Sequence, residues 1–374
     1  MQITTTKQNL AAPLALVLGA ADTRGTVPML GTVLLKATDS GKLSMICSDT
    51  GMLARTLSPC EVTKGGEIAV DVRRLNDLIK AVPDKQPIQI GIEKKGVLLI
   101  QSGRSRFRLP TLPAADYPRM EQGKEDRMSV TMTAKRLAEM VMEVSPSMAD
   151  ADLRPYLNGA LFSLDKAGLW IVSTDGHRMS VAHEPILGPD SLTPRNIIVP
   201  RKTALLARKL LGQGGNVTMV IGAKDVQFTF EDGTVLFGKS LDGTYPNWRG
   251  VLPVTTEVVK VGADRLTAAL SMLSATIDDK EKQLTMKAKL ELQFGKEQLV
   301  LHRGEAGRCE VDVASSTDTP LEMAFNIGFL IDAMQTIGAA ADEITISYGA
   351  SATAISMRPM DKEFPLVVVM PLRN

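Results

Sequence analysis

Alternating apolar and polar positions mark short strands at Gly96-Val97-Leu98-Leu99-Ile100, Gly168-Leu169-Trp170-Ile171-Val172, Val226-Gln227-Phe228-Thr229-Phe230 and Glu343-Ile344-Thr345-Ile346-Ser347. Between such strands lie Ala/Leu-rich stretches with helical spacing. One opens at Thr6-Lys7-Gln8-Asn9-Leu10, and comparable openings stand at Thr133-Ala134-Lys135-Arg136-Leu137 and Gly262-Ala263-Asp264-Arg265-Leu266. The marker leucines Leu10, Leu137 and Leu266 are 127 and 129 residues apart. A second helix-like stretch follows each opening: Val70-Asp71-Val72-Arg73-Arg74-Leu75, Val199-Pro200-Arg201-Lys202-Thr203-Ala204 and Phe325-Asn326-Ile327-Gly328-Phe329-Leu330, with steps of 129 and 126. A period this long is a domain rather than a solenoid unit. Three copies added end to end predict a curved, symmetric object.

Each third reads as strand, helix, several strands, second helix and further strands. Turn residues at Asp39-Ser40-Gly41, Lys94-Lys95-Gly96 and Glu231-Asp232-Gly233 predict antiparallel meanders rather than crossovers, so the expected class is α+β. Pro-rich segments at Thr111-Leu112-Pro113-Ala114-Ala115-Asp116-Tyr117-Pro118 and Gly243-Thr244-Tyr245-Pro246-Asn247-Trp248 close the first two thirds. The joints are placed near residues 125 and 254, giving domains 1–125, 126–254 and 255–374.

Composition adds little to this picture. The 374 residues are 44% apolar and 23% charged, ordinary for a soluble chain, and each repeat is long enough to bury a core. Cys47, Cys60 and Cys309 are scattered without metal spacing and read as reduced core filler, which fits a cytoplasmic setting. The segment 7–21 imitates a signal peptide, but the same helix recurs at Leu137 and Leu266, where no export signal acts; an amphipathic core helix is expected. No apolar run approaches the roughly eighteen residues that span a bilayer, so no membrane partner is expected.

Net charge is only +1, so any nucleic-acid site must come from segregated charge. The helical stretches supply it: Arg73, Arg74 and Lys80, then Arg201, Lys202, Arg208 and Lys209, recur at matching points of successive repeats. Cations placed along one wall would attract a phosphate backbone without reading sequence. The stretch 326–337 has no basic residue.

Candidate catalytic motifs do not hold together. Gly233-Thr234-Val235-Leu236-Phe237-Gly238-Lys239-Ser240 matches the letters of a P-loop, yet its interior favours a strand and no helix can follow, so no nucleotide site is expected. His177 with Asp175 lacks a nucleophile and reads as a tight turn at a strand end. His177, His183 and His302 are too few for a zinc set. Asp150 with Asp152, and Asp278 with Asp279, keep a metal-dependent nuclease as an alternative of a different class. A non-catalytic scaffold without DNA function is a third reading.

Ser102-Gly103-Arg104-Ser105-Arg106-Phe107, Tyr156-Leu157-Asn158-Gly159, Thr174-Asp175-Gly176-His177-Arg178, Val199-Pro200-Arg201-Lys202 and the tail Met370-Pro371-Leu372-Arg373 together resemble the family of bacterial DNA polymerase III beta subunits, the replicative sliding clamps. The resemblance runs from end to end. It implies a ring-shaped head-to-tail homodimer of three-domain protomers, helices lining a central hole and antiparallel sheets outside. It also implies sequence-independent binding of double-stranded DNA, no catalysis and no cofactor. Partners would be the polymerase III catalytic subunit, an ATP-driven clamp loader, and other polymerases and repair proteins carrying short clamp-binding peptides.

By the same resemblance the peptide groove falls on Leu157, Thr174, Gly176, His177, Arg178 and Met179, with Pro246, Val251, Met370, Pro371, Leu372 and Arg373. DNA contacts fall on Arg24, Arg73, Tyr156, Arg201 and Lys202. The dimer contact falls on Phe107, Leu109, Met272 and Leu273, with Arg74, Arg104 and Arg106 facing Glu305 and Glu310 of a second copy. Pro155, Gly250, Phe329 and Asn374 depart from the family's usual residues; they leave the apolar groove and trim its polar rim.

Overall fold

A computed structural model describes residues 1–374 except 23–24, 26, 94–95, 121–122, 124–126, 187–193, 213, 278–288, 295–296, 316–320, 339–340, 350–353 and 373–374. Six α-helices stand among the described residues, two in each repeat: α1 (Lys7–Val17), α2 (Val72–Ala81), α3 (Ala134–Val144), α4 (Arg201–Leu211), α5 (Ala263–Ser274) and α6 (Ile327–Ile337). Their spacing is the one the leucine markers predict. Each begins where a strand ends, and several carry a local stop signal for the strand. Asp71 accepts the Arg74 amide at 2.8 Å, Asn326 accepts that of Gly328 at 2.8 Å, and Thr6 accepts that of Asn9 at 3.3 Å. Such caps are worth about 0.5–2 kcal/mol each.

Burial follows the helical period. Val72, Leu75, Asn76 and Ile79 face inward on α2, and Ile327, Leu330, Ala333, Met334 and Ile337 on α6. Burying each such aliphatic side chain contributes about 1.5–3 kcal/mol. α1 packs against α2, and α5 against α6. The segment that imitates a signal peptide is α1, with Leu10, Leu14 and Val17 buried.

Strands pair antiparallel throughout the recorded ladders and form two long sheets. The four strands picked out by alternation are Val97–Ser102, Gly168–Thr174, Asp225–Phe230 and Glu343–Tyr348. The P-loop look-alike is strand Val235–Lys239, entered through a turn at Gly233, as its apolar interior requires.

Chain contacts divide the protein into two compact units, Met1–Ala138 with Lys202–Ser240, and Glu139–Arg201 with Leu241–Asn374. The middle repeat is therefore shared. In the first unit its strand Val235–Lys239 pairs with Met52–Pro59 of the first repeat, with Gly238 opposite Met52. In the second unit its strand Arg178–Glu184 pairs with Leu366–Val369 of the third, with Arg178 opposite Val369. Each sheet thus runs on from one repeat into the next. The expected joint near 125 lies outside the described residues, and that near 254 falls in an exposed segment.

The cysteines differ from one another. Cys47 is fully buried, and burial pushes its thiol far above the usual range, while Cys60 and Cys309 are only partly buried. An alkylating reagent at pH 8 is expected to label Cys60 and Cys309 in the folded protein and Cys47 only after denaturation. Labelling of all three thiols at one rate under native conditions, read by mass spectrometry, would contradict the packing of the first repeat.

Candidate functional site

The turn 174–178 in the second unit is built by its own polar side chains. Asp175 accepts the amides of His177 at 2.9 Å and Arg178 at 3.0 Å, and Thr174 Oγ1 donates to the Arg178 carbonyl at 2.7 Å. Gly176 sits at φ 87°, where a side chain would be strained. The chain's last described residues dock here: the Met370 amide donates to the His177 carbonyl at 2.9 Å, and Leu372 to that of Ala324 at 2.7 Å. Met179 is buried and shares a packed cluster with Val181, Trp248 and Val368, against which Met370 and Tyr245 lie. Leu157 is buried, Pro246, Met370, Pro371 and Leu372 are half-buried, and Val251 is exposed. Arg373 lies outside the described residues.

Arg178 ties the turn to α6. Its guanidinium takes Asp175 at 3.0 Å and Asp332 at 2.5 Å, and lies 4.5 Å over the Phe329 ring. His177 stacks toward the same ring at 6.2 Å. Arg154 closes the other side, its Nη2 3.1 Å from where a Cβ on Gly176 would stand. Asp152 holds Arg154 at 2.9 Å, and those hydrogen bonds lower the Asp152 carboxyl to about 2. A depressed carboxylate of this kind holds its partner above the normal carboxylate range and releases it only as pH falls toward about 2.

The first unit repeats the same construction with different side chains. Asp49 accepts the amides of Gly51 at 3.0 Å and Met52 at 2.8 Å, and Ser48 Oγ donates to the Met52 carbonyl at 2.9 Å. Thr50 takes the left-handed position of Gly176, at φ 72°. Tyr117 donates to the Ile46 carbonyl at 3.0 Å as Tyr245 does to that of Val172 at 3.2 Å. The Lys239 amide donates to Gly51 at 2.8 Å, which makes Lys239 the counterpart of Met370. Leu53 then answers Met179, and the cation Lys239 stands where the second unit has apolar Met370.

Three models of the DNA polymerase III beta subunit match in order along the chain: the N-terminal domain on residues 1–121, the central domain on 131–247 and the C-terminal domain on 249–373. This chain belongs to the DNA polymerase III beta subunit family. A beta sliding clamp of Vibrio cholerae is 31% identical over the full length of both chains. The crystal structure of the DNA polymerase III subunit beta from Pseudomonas aeruginosa covers all of both chains at TM-score 0.90 and 29% identity. A sliding clamp from the same organism, bound to griselimycin, does so at 0.91 and 30%. The chain is accordingly a non-catalytic processivity factor of DNA replication, working with DNA and polymerase partners.

The residues matched to DNA contact have mixed placements. Arg24 lies outside the described residues. Arg73 is exposed on α2. Arg201 donates to the carbonyls of Ser145 at 3.1 Å and Met148 at 2.7 Å, holding the entry to the loop that carries half-buried Tyr156. Lys202 reaches Asp49 at 2.6 Å, and Lys209 the Ala15 carbonyl at 3.3 Å. Part of the basic charge read along these helices is thus spent inside the units. Asp150 lies 3.8 Å from Arg201, whereas Asp278 and Asp279 are outside the described residues.

For the dimer contact, Arg74, Arg104, Arg106 and Phe107 are exposed in the first unit, with Leu109 half-buried. Phe107 and Arg104 border a hollow of about 500 Å³ with Leu78, Val82 and Gln86. In the second unit Met272 is 60% exposed, but Leu273 is 2% exposed in the core of its own repeat. Neighbouring helical positions are about 100° apart, so only Met272 of the pair presents outward. Glu305 and Glu310 are exposed, the latter 2.8 Å from Arg308.

Arg154, Asp175 and Asp332 were not picked out as site residues from the sequence, and Phe329 was named only as a departure at the groove's rim. Asp175 has a sequence signal in its likeness to Asp49, since both precede a left-handed turn residue. Arg154 arrives from the loop before Pro155 and Asp332 from α6, and neither leaves a local trace.

Proposed function

We propose that two copies of this chain, each with repeats 1–125, 126–254 and 255–374, close head to tail around duplex DNA and present the turn 174–178 with the C-terminal strand as a peptide groove. The observation that carries the groove is the contrast between the two junctions. Backbone and turn bonds match, yet only the second places Met370 and Phe329 where the first has Lys239 and Thr203. Met, Leu, Val and Pro at the second junction form an adaptable apolar surface for a short peptide's anchors. The P. aeruginosa relative bound to griselimycin makes that compound the natural probe. Phe107 and the hollow beside it would meet Met272 of the second copy, with Arg104 and Arg106 toward Glu305 and Glu310. Arg24, Arg73, Tyr156, Arg201 and Lys202 would touch the phosphate backbone weakly enough to slide.

Enclosure works by topology, and a tethered polymerase gains effective concentration at the primer end. A replication role with no described helix long and apolar enough to cross a membrane favours the cytoplasm. With a clamp loader and ATP, the protein is expected to stay on nicked circular DNA through gel filtration and to slip from the same DNA once linearised. Equal retention on both forms would rule out encirclement, and metal-dependent cleavage of either would favour a nuclease instead.

A further inference from the structure

One face of the second unit's sheet carries a single apolar layer that reaches beyond the groove. From Met179 and Met370 the packed cluster continues through Val181 and Trp248 to Trp170, Phe364 and Leu366. There it opens again, into a hollow of about 550 Å³ walled by Trp170, Trp248, Leu252, Phe364 and Leu366. Trp170 stacks on His183 at 3.8 Å, and its ring meets the edge of Phe364 at 5.3 Å and tilts to Trp248 at 5.6 Å.

Two guanidinium groups border these rings. Arg249 lies 4.3 Å over Trp248 and 5.0 Å over Trp170, with one nitrogen 3.3 Å from Asp165. Arg358, half-buried on strand Ile355–Pro359, lines the same hollow and has no ion pair among the described residues. The buried Ser347 and half-buried Ser356 line the same hollow. Glu363 stands exposed on the rim and would repel a run of acids. Aromatic walls beside an unpaired guanidinium suit one aromatic side chain with one carboxylate next to it.

We infer that this hollow is a second docking pocket for the peptide held in the groove, taking an aromatic residue followed by a single acidic one. The inference rests on the groove reading, because continuity of the apolar layer is what links the two openings. At the matching place in the first unit Ser44 and Met120 stand where Trp170 and Trp248 do, so among the described residues the two indole walls have no counterpart there. Binding of the extended peptide should therefore show one site per protomer.

The protein's two tryptophans, Trp170 and Trp248, both line this hollow, and because Trp248 also packs with Met179, emission with each extended peptide is read against the change that the core peptide alone produces. The test titrates the full-length protein with a hexapeptide carrying leucine and phenylalanine anchors, and with the same peptide extended at either end by Gly-Ser-Phe-Asp. Griselimycin competition reads the groove separately. One of the two extended peptides is expected to bind about ten-fold tighter than the core and to shift tryptophan emission. Arg358→Ala should remove most of that gain and leave core binding unchanged; Phe-Asn in place of Phe-Asp should do the same. Extended peptides that bind no tighter than the core and move emission no further than the core does would overturn the pocket while the groove stands. If the core peptide and griselimycin both fail to bind, the groove reading falls, and emission with the extended peptides alone decides the pocket. An emission change that depends on protein concentration without peptide would assign the hollow to a second copy and overturn the inference.

Discussion

Removing Met370 to Asn374 is expected to lower griselimycin affinity at least about 100-fold, a loss of about 2.7 kcal/mol or more. The strand Leu366–Val369 remains, and with it the pairing to Arg178–Glu184 that holds the two repeats of the second unit in one sheet. What disappears is the segment bonded to the carbonyls of His177 and Ala324, and with it Met370, Pro371 and Leu372 from one wall. Binding interfaces concentrate their affinity in a few well-packed residues, so losing a whole wall should outweigh any single substitution. Circular dichroism and sedimentation should show the fold and oligomeric state unchanged. Undiminished griselimycin binding by the shortened chain would place the groove elsewhere.

The second large effect comes from paired substitutions at the two turns. Asp175→Ala strips the acceptor from the amides of His177 and Arg178 and takes one of two carboxylates from the Arg178 guanidinium, whose side chain is only 12% exposed. Leaving the two amides without this acceptor and Arg178 with Asp332 alone should cost about 2–4 kcal/mol of stability. Because the same residues stand in the proposed groove, griselimycin binding should fall about ten-fold or more. Asp49→Ala strips the amides of Gly51 and Met52 in the same way, but its ion pair is with Lys202, whose side chain is 51% exposed and therefore well screened. A smaller cost of about 1–2 kcal/mol is expected, with griselimycin affinity unchanged. Urea denaturation and a binding titration on both variants check this together. If Asp49→Ala weakens griselimycin as much as Asp175→Ala does, the two junctions do not differ in the way their side chains indicate.

Several features are legible in the sequence alone. Strand alternation, the helix openings and the period near 128 residues are local, so each leaves its mark within a dozen positions, and all reappear in the fold. The refusal of the P-loop look-alike is local too, since apolar β-favouring residues between its glycines cannot make a phosphate cradle. The resemblance picked out Thr174, Gly176, His177, Arg178, Met179 and the tail, which come together through the Arg178–Val369 pairing and the Met370 bond to His177. The Leu273 placement shows where such matching stops: a residue type at the right position does not say which way its helix turns it.

By itself the sequence determined that there are three copies of one α+β unit and which segments become helices and strands, because periodicity and capping act between near neighbours. Only the tertiary structure decided that the middle copy is shared between two compact units, that Lys202 reaches Asp49, and that Phe329 and Asp332 come to Arg178. Those pairings depend on which sheet edges meet across long stretches of chain, and no short window of residues carries that information.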